Sequence, residues 1–296
     1  MPNTILTADE IATIGAALVG SDLGLAKLFS SDVAADFGGG TGETIRVRIP
    51  GAVPSRERAA NDTTTALAVD TITEQSVPVT LDTLAYSNVS LSVSETELGL
   101  IDFGKQVLEP QTRAISRRVE QEAAAALLAT PTTELIYTAA TPAKLFTAIR
   151  KTLRDRGVSA ESKIVAVVGS SVYADLLDGP LGTWDANGVT VRGIEIHESS
   201  RLGADDVVAF VKEAFSLVVR APEPPAGAGY GASIRAEGDS PFALTHLQAF
   251  DVATGSDRSI VEALVAVVPM PQAKDNEDGT VALVPHGNVV RVDTAA

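Results

Sequence analysis

The sequence of 296 residues contains no cysteine. This absence excludes disulfide bonds, thiolate catalysis and Cys-based metal sites. There is also no apolar run of about twenty residues, which a membrane-spanning helix needs. The first residues, MPNTILTADEIATIG, lack the basic start and the apolar block of a secretory signal. We therefore expect an intracellular protein without a membrane contact.

Basic residues are few, with 23 Lys and Arg against 38 Asp and Glu, and the formal net charge is −15. Because phosphate binding needs clustered Lys and Arg, this balance argues against a nucleic-acid-binding surface. The apolar fraction of 45% against 21% charged residues is typical of a folded globular protein. The length allows one large or two modest domains.

The sequence also lacks a catalytic set. The glycine-rich segment 38–44 has no lysine and precedes a strand, unlike a phosphate-binding loop. Ser170 and Ser171 stand between a predicted buried strand and a helix, where a nucleophile elbow would lie. Neither serine has the glycine two residues later that this tight turn requires, so a helix N-cap is the favoured interpretation.

Metal-binding patterns are absent in the same way. The three histidines stand far apart in sequence, at His197, His246 and His286. The acidic segment 275–279 lacks the glutamate at the twelfth position of a calcium loop. We therefore predict no catalytic residue, no cofactor and no metal.

The longest predicted helix spans residues 102–130, and Pro131 lies just past its end. Glu109 with Arg113 and Arg118 with Glu122 form opposite-charge pairs four residues apart. Pro110 should kink the helix or mark its first turn. Helical spacing predicts one buried stripe, with Arg113, Arg117, Glu120 and Gln121 mostly on the other side; the stripe consists of Val107, Ala114, Ile115, Val119, Ala123, Ala126 and Leu127.

Residues 43–94 have the pattern of a long hairpin with a polar tip. Residues 44–49 alternate with a period of two, as a half-buried strand does. Residues 55–66 are polar and without apolar periodicity, and residues 77–81 and 89–93 alternate again. Connections of this length are uncommon unless they are functional or disordered.

The remaining chain predicts a mixed α/β body. The pattern indicates helices at 8–19, 141–157 and 170–177, and strands at 163–168, 189–197, 207–211 and 216–219. Residues 221–241 are rich in Pro and Gly and predict a surface loop. Two antiparallel hairpins are predicted after it, one from 244–252 and 260–268 and one from 281–292 around His286.

The order of these parts resembles the major capsid protein of tailed double-stranded DNA phages, with the Hong Kong 97-type fold. The resemblance is strongest to actinophage members related to the Salmonella podovirus coat protein. It rests on three segments, residues 42–50 (GETIRVRIP), residues 107–120 with Val-Leu-Glu-Pro and Arg-Arg-Val-Glu, and residues 210–222 (FVKEAFSLVVRAP).

The resemblance implies an α+β capsid fold with five parts. Residues 1–42 would form an N-terminal arm and residues 43–94 an extended loop, a β-hairpin. Residues 95–140 would hold the spine helix of the peripheral domain, and residues 141–240 the axial domain. Residues 241–296 would return strands to the peripheral domain and end in a C-terminal hairpin.

The resemblance also implies a structural protein that self-assembles into pentamers and hexamers of an icosahedral shell, with no enzymatic activity. The shell would enclose packaged double-stranded DNA without binding it specifically. The expected location is the virion capsid, assembled in the host cytoplasm. A separate scaffolding protein, a portal and a decoration protein are the expected partners.

Within this scheme we expect the tip of the extended loop to contact a neighbouring subunit through Arg56, Glu57, Arg58 and Asp62. Arm and spine contacts are expected from Phe29, Phe37, Arg113 and Arg117, and a hinge at Pro110. The chain has no lysine between Lys27 and Lys105. The extended loop therefore cannot form the lysine isopeptide bond that welds some shells of this family, and non-covalent stabilisation is expected.

Two alternatives remain open from the sequence. An encapsulin-type bacterial compartment protein would share the fold but enclose enzymes instead of DNA. A soluble α/β hydrolase built around Ser170 or Ser171 would act as a monomer or small oligomer.

Overall fold

A computed structural model describes residues 23–31, 44–49, 51–92, 103–178, 183–185, 188–225, 230–235, 242–276 and 280–294. The predicted helix at 8–19 and the glycine-rich segment 38–42 lie outside these residues.

Three α-helices are described: α1 at Glu109–Leu128, α2 at Ala143–Asp155 and α3 at Ser170–Asp178. A π-helical turn, Gly104–Leu108, leads directly into α1. The strands, in chain order, are β1 Thr44–Ile49, β2 Gln75–Thr80, β3 Thr83–Leu91, β4 Ile164–Val168, β5 Thr183–Asp185, β6 Gly188–Val191, β7 Ile194–Glu198, β8 Asp206–Val211, β9 Phe215–Arg220, β10 Tyr230–Arg235, β11 Ala243–Asp251, β12 Ser256–Pro269, β13 Gln272–Asp275, β14 Val281–Val284 and β15 Val289–Asp293.

The chain divides into two compact units. The first consists of Met1–Glu43, Thr80–Ala129 and Phe215–Val268, and the second of Thr44–Val79, Thr130–Ala214 and Pro269–Ala296. The predicted five-part division is a finer scheme, and it stays a prediction.

The first unit is built on a five-stranded sheet with the order β10-β11-β12-β3, in which β9 also pairs with β12. The β11–β12 hairpin confirms the prediction for 244–268, and Gly255 in its turn has φ +63°. Helix α1 packs on β3 and buries Ile115, Val119 and Leu127. These side chains recur at helical spacing, which is why one face of α1 enters the core.

The second unit is built on a six-stranded sheet with the order β15-β8-β4-β7-β6-β5. All five residues of β4 are buried, as the continuous apolar run predicted. Helix α2 adds a buried stripe of Leu145, Phe146, Ile149 and Leu153.

Gly157, two residues after the last residue of helix α2, terminates the helix, as predicted from its sequence. Gly157 has φ +99°, its N–H donates to the Arg154 carbonyl, and the Val158 N–H donates to the Leu153 carbonyl. This pair of bonds is a Schellman motif, which satisfies the last carbonyl groups of a helix.

The prediction of one strand at 189–197 is wrong, because the chain reverses within it. Arg192 and Gly193 have φ of +54° and +77°, so they form the two central residues of a tight turn, and Val191 pairs with Ile194 across it. Positive φ at both central residues is the geometry that matches the twist of the flanking strands in a hairpin.

Two further predictions fail at strand pairing. The segment 221–241, predicted as a surface loop, contains β10, which pairs with β11 from Tyr230 to Arg235. The C-terminal hairpin does not form, because β14 pairs with β13 while β15 pairs with β8. The partner of β15 comes from about eighty residues upstream, and local periodicity carries no signal for such a pairing.

Candidate assembly surfaces

Strands β1 and β2 form a two-stranded sheet of their own and join into an arm hairpin, which we define as residues 44–80. The residues of β1 alternate between exposed and partly exposed, and none is buried. The predicted alternation is therefore present, with Ile45, Val47 and Ile49 on the partly covered face. Gln75, the first residue of β2, donates its side-chain N–H to the Val281 carbonyl at 2.8 Å.

Hydrogen bonds within the chain hold the tip of the arm hairpin together. The Arg56 guanidinium donates to both carboxylate oxygens of Asp70, at 3.1 and 2.7 Å. Arg58 donates to the Thr65 carbonyl at 2.7 Å. The bond from Arg56 lowers the pKa of the Asp70 carboxyl. The predicted contact residues Arg56 and Arg58 thus already have partners in their own chain.

Asp62 organises the turn at the end of the tip. Its Oδ1 accepts hydrogen bonds from the backbone N–H groups of Thr64 and Thr65, at 2.8 and 3.1 Å, and from the Thr64 hydroxyl. Hydrogen bonds from Thr65 and Thr64 hold the pKa of this carboxyl well below its usual range. Glu57 is exposed beside this turn.

The returning limb of the arm hairpin exposes apolar side chains that sequence reasoning missed. Val69 is 96% exposed, Leu67 74%, Ile72 64%, and Val53 on the outgoing limb 50%. Leu67 and Val69 lie two residues apart, directly after the polar stretch 55–66. The alternation of Leu67 and Val69 is visible in the sequence, but it is too short to predict a strand. Polar residues stand on both sides of it, three threonines before and an aspartate after.

A second apolar surface lies on the five-stranded sheet, on the side away from α1. Because directly opposed residues share a face of an antiparallel pair, Leu84 with Leu264, Tyr86 with Glu262 and Asn88 with Ile260 point the same way. We call these six residues the open face. Tyr86 is 68% and Leu84 46% exposed, and the β12 residues are partly exposed.

Glu262 is the charged group on the open face. Burial among the apolar neighbours raises the pKa of its carboxyl. In the part of the chain that the structure describes, no ion pair involves Glu262.

Helix α1 carries the predicted spine residues. Arg113 pairs with Glu109 at 2.7 Å, Arg118 pairs with Glu122, and Arg117 is exposed. The two ion pairs four residues apart are confirmed. Whether Arg113 and Arg117 contact another subunit stays a prediction.

Glu120 was predicted to lie on the outer side of α1, but it is buried and only 5% exposed. Its carboxylate accepts the backbone N–H groups of Gly24, Leu25 and Ala26, at 2.8, 3.1 and 3.1 Å. These three donors are the N-cap residue and the first two residues of a 3-10 turn, Leu25–Leu28, whose first N–H groups have no partner within the turn. Ala114, predicted to be buried, is exposed instead.

Phe29 follows this turn and is buried against Phe215, with ring centroids 5.0 Å apart. Within this chain it anchors the segment 23–31 to the first unit, where Ser30 also forms a bridge to Ser216. Phe37, the other predicted anchor, lies outside the described residues.

Pro110 is the second residue of α1, which begins directly after the π-helical turn. A proline at this position has no N–H to donate, and its ring would crowd the carbonyl four residues earlier in a continuous α-helix. The wider π turn relieves that contact and is a feature associated with mobile or functional sites. The prediction of a hinge at Pro110 is compatible with this geometry and stays a prediction.

The residues weighed as catalytic or metal-binding do not come together. Ser170 and Ser171 are exposed at the start of α3. His197 contacts Glu195 at 3.0 Å, which also pairs with Lys163 at 2.8 Å. Among the described residues there is no group of three acidic or histidine side chains that could hold a metal ion, and none of the described helices is long and apolar enough to cross a membrane.

His246 belongs to a buried polar network under the start of α1. Its Nε2 lies 3.2 Å from the Ser259 hydroxyl, which donates to Gln111 at 2.8 Å. Gln111 in turn donates to the Ser259 carbonyl at 2.8 Å and the Ser87 carbonyl at 3.2 Å. Burial lowers the pKa of His246 to about 4. The network fixes Gln111, the neighbour of Pro110, to the sheet.

Comparisons with known proteins identify the fold. No protein-family model and no curated protein matches the sequence. Solved structures do match. A chain from Mycobacterium phage Che8 has a TM-score of 0.59 at 16% identity, covering 93% of this chain and 92% of that one. A chain of the capsid asymmetric unit of cyanophage A-1(L) has a TM-score of 0.57 at 12% identity, covering 99% and 95%.

A third match comes from a virus-like particle of Pyrococcus furiosus. It has a TM-score of 0.52 at 12% identity and covers 96% of this chain and 98% of that one. The chain therefore has the mixed α+β fold of tailed-phage capsid proteins, the Hong Kong 97-type fold, which confirms the predicted fold class.

Proposed function

We propose that this protein is the major capsid protein of a tailed phage, a structural subunit that self-assembles into an icosahedral shell around double-stranded DNA. The observation that carries the proposal is an arm hairpin whose strand β1 has no buried residue, on a chain with a capsid fold along nearly its whole length. A hairpin without a core gains stability when it lies on another copy.

Repetition explains how weak contacts would suffice for assembly. A closed shell repeats each contact many times, so a modest free energy for each arm becomes a large total. The location that follows is the virion capsid. The net charge of −15 supports an inner surface that does not bind the enclosed DNA.

Several finer elements belong to the same proposal. The shell subunit acts without enzymatic activity. A scaffolding protein, a portal and a decoration protein are partners that other genes would supply, and assembly would take place in the host cytoplasm.

A second candidate function is a compartment shell that encloses proteins instead of DNA. It is favoured by the match to a virus-like particle of Pyrococcus furiosus over 96% of this chain. The phage-capsid function is preferred because the phage matches include the higher TM-scores of 0.59 and 0.57.

The experiment is expression of the full chain, followed by sedimentation and negative-stain imaging of the purified protein. We expect uniform shells or open tubes of one wall thickness. A discrete small species at every concentration would contradict both shell functions. Neighbouring portal and terminase genes in the source genome would favour the phage capsid, and a neighbouring cargo enzyme would favour the compartment.

A further inference from the structure

The second unit contains a cavity of about 280 Å³ to which neither the arm hairpin nor α1 contributes a residue. Three parts of the chain line it: the segment 130–133, Arg156 at the end of α2, and the turn 284–289. One water molecule needs roughly 10–15 Å³ of such volume, so the cavity has room for a small ion together with several water molecules.

Arg156 brings a positive charge to the wall of this cavity. Its Nη1 donates to the carbonyl oxygens of His286 and Val289, at 3.2 and 2.6 Å. Its Nη2 donates to the Thr133 hydroxyl at 3.4 Å, which leaves the proton of that hydroxyl for another acceptor. The guanidinium Nε–H and one Nη2 proton have no acceptor in the described part of the chain.

No negative charge balances this guanidinium. Its three acceptors are neutral, and among the described residues Arg156 forms no ion pair. Of the residues that the structure describes, no aspartate or glutamate lines the cavity, in a chain whose net charge is −15. Because half-buried charges are normally paired, Arg156 can accommodate an anion in the cavity.

Two buried polar atoms of the cavity residues lack a partner. Among the described residues, four buried side-chain nitrogen or oxygen atoms form no hydrogen bond, and two of them are Thr130 Oγ1 and His286 Nδ1. Thr130 is only 2% exposed. A buried hydroxyl without a partner is destabilising, and such atoms are rare in folded proteins. A ligand that accepts hydrogen bonds would satisfy both atoms.

The turn that carries His286 is held in one shape by its own contacts. His286 has φ +54°, a conformation that histidine adopts more often than most residues do. The Val289 N–H donates to the His286 carbonyl at 3.2 Å. Gly287 packs against Gln272, since a Cβ atom at Gly287 would lie 2.4 Å from Gln272 Oε1. A fixed turn lowers the entropy cost of binding a ligand.

We propose that this cavity binds a small free oxyanion of the phosphate class, with Arg156 as the cation and Thr130, Thr133 and His286 as further donors. Phosphate has four oxygens around one centre and can accept from all four side chains, whereas a carboxylate has only two. Guanidinium groups also bind phosphate oxygens in pairs. Thr130 Oγ1 and His286 Nδ1 are screened from solvent, so both side chains turn towards the ion on binding.

Isothermal titration of inorganic phosphate into the full chain tests the site directly, in HEPES buffer with chloride at matched ionic strength. Direct binding has to be measured because phosphate also stabilises folded proteins without occupying a site. We expect one phosphate per chain at saturation. No binding up to about 10 mM phosphate, where a site with a Kd of about 1 mM would be nearly full, would overturn the inference.

Thr130→Val removes the buried hydroxyl and keeps the shape of the side chain. The phosphate affinity should fall by about tenfold, because one hydrogen bond to an anion is lost. Without phosphate, thermal unfolding should stay the same or move to a higher temperature, because the hydroxyl has no partner to lose. An unchanged phosphate affinity in T130V would overturn the inference whatever the effect on unfolding.

Arg156→Lys keeps the charge but loses the paired donors, so phosphate binding should weaken at least about tenfold. Arg154→Lys is the matched control. Arg154 also lies at the end of α2 and donates to the carbonyls of Val158 and Ala160, at 3.1 and 3.0 Å, but it does not line the cavity. We expect the phosphate affinity of R154K to equal that of the unaltered chain. Equal affinities in R156K and R154K would contradict the proposal.

A competition experiment distinguishes a free ion from the phosphate groups of nucleic acid. The net charge of −15 opposes the approach of a polyanion, so a short single-stranded oligothymidine should not displace phosphate. Displacement by the oligonucleotide would overturn the assignment to a free ion. The inference is independent of the proposed function, because the titration gives the same answer whether or not the chain assembles into shells.

Discussion

At the scale of single residues, Glu120 joins the helix α1 to the segment that precedes the arm hairpin. Its carboxylate accepts three consecutive backbone N–H groups, from Gly24, Leu25 and Ala26. A buried N–H group without a partner costs about 1–3 kcal/mol. Glu120 therefore contributes more to the free energy of unfolding than an exposed glutamate of the same helix would.

Substituting Glu120→Ala should lower the free energy of unfolding by about 3 kcal/mol, because three donors lose their acceptor at once. Urea denaturation measures the change as a lower midpoint at an unchanged slope. Glu122→Ala is the matched control, since its pair with Arg118 is exposed and contributes about 0.5 kcal/mol. Equal losses in the two variants would show that the Glu120 contacts carry no special weight.

His246 is the residue that should make stability depend on pH. Burial lowers its pKa from 6.5 to about 4, so the folded protein holds the neutral imidazole where the unfolded chain would bind a proton. The stability that His246 contributes as a neutral imidazole is therefore fully present above pH 6.5. It is lost as the pH falls towards 4.

We expect the unaltered protein to lose about 3 kcal/mol of stability between pH 7 and pH 4 that His246→Phe does not lose. Carboxylate titration acts on both proteins, so the difference between their two pH profiles isolates the histidine. Denaturation midpoints at several pH values give the profiles. Parallel profiles would show that the imidazole is protonated without cost.

At the scale of elements, the start of α1 joins a π turn, a proline and a glutamine fixed to the sheet. Pro110 cannot donate a backbone hydrogen bond, and Gln111 is held by Ser87 and Ser259. Any bending of the helix would therefore occur on the N-terminal side of Gln111, within Gly104–Leu108.

Substituting Pro110→Ala should convert the π turn into regular α-helix, because the new N–H can bond to the carbonyl four residues earlier. A structure of the variant by cryo-electron microscopy measures this directly, and slower amide exchange over residues 104–110 supports it. A retained π turn in the variant would show that contacts outside the helix impose it.

Local patterns predicted elements well where a single side chain or run decides the structure. The buried run of β4 and the end of α2 at Gly157 are examples, since each depends on residues a few positions apart. Pairing of distant strands left no local signal, so β15 was assigned to the wrong partner. The reversal at Arg192 was missed because arginine is an unusual residue at positive φ.

At the scale of the whole molecule, the order of elements was the informative signal. No single motif marks this chain, yet the succession of arm hairpin, helix α1 and α/β body predicted the fold that the comparisons identify. The contacting surfaces were harder to predict, because exposed apolar residues are visible only once the fold shows which side chains are uncovered. The sequence patterns selected the charged residues at the tip and missed the exposed side chains of Leu67, Val69 and Ile72.

The central claim is that the arm hairpin assembles copies of this chain into a shell. Deleting residues 52–73 and joining the limbs with two glycines keeps Gln75 on Val281 and removes only the tip and the exposed apolar residues. Negative-stain imaging beside the full chain is the direct measurement. We expect shells from the full chain and a folded, unassembled protein from the deletion; normal shells from the deletion would contradict the account.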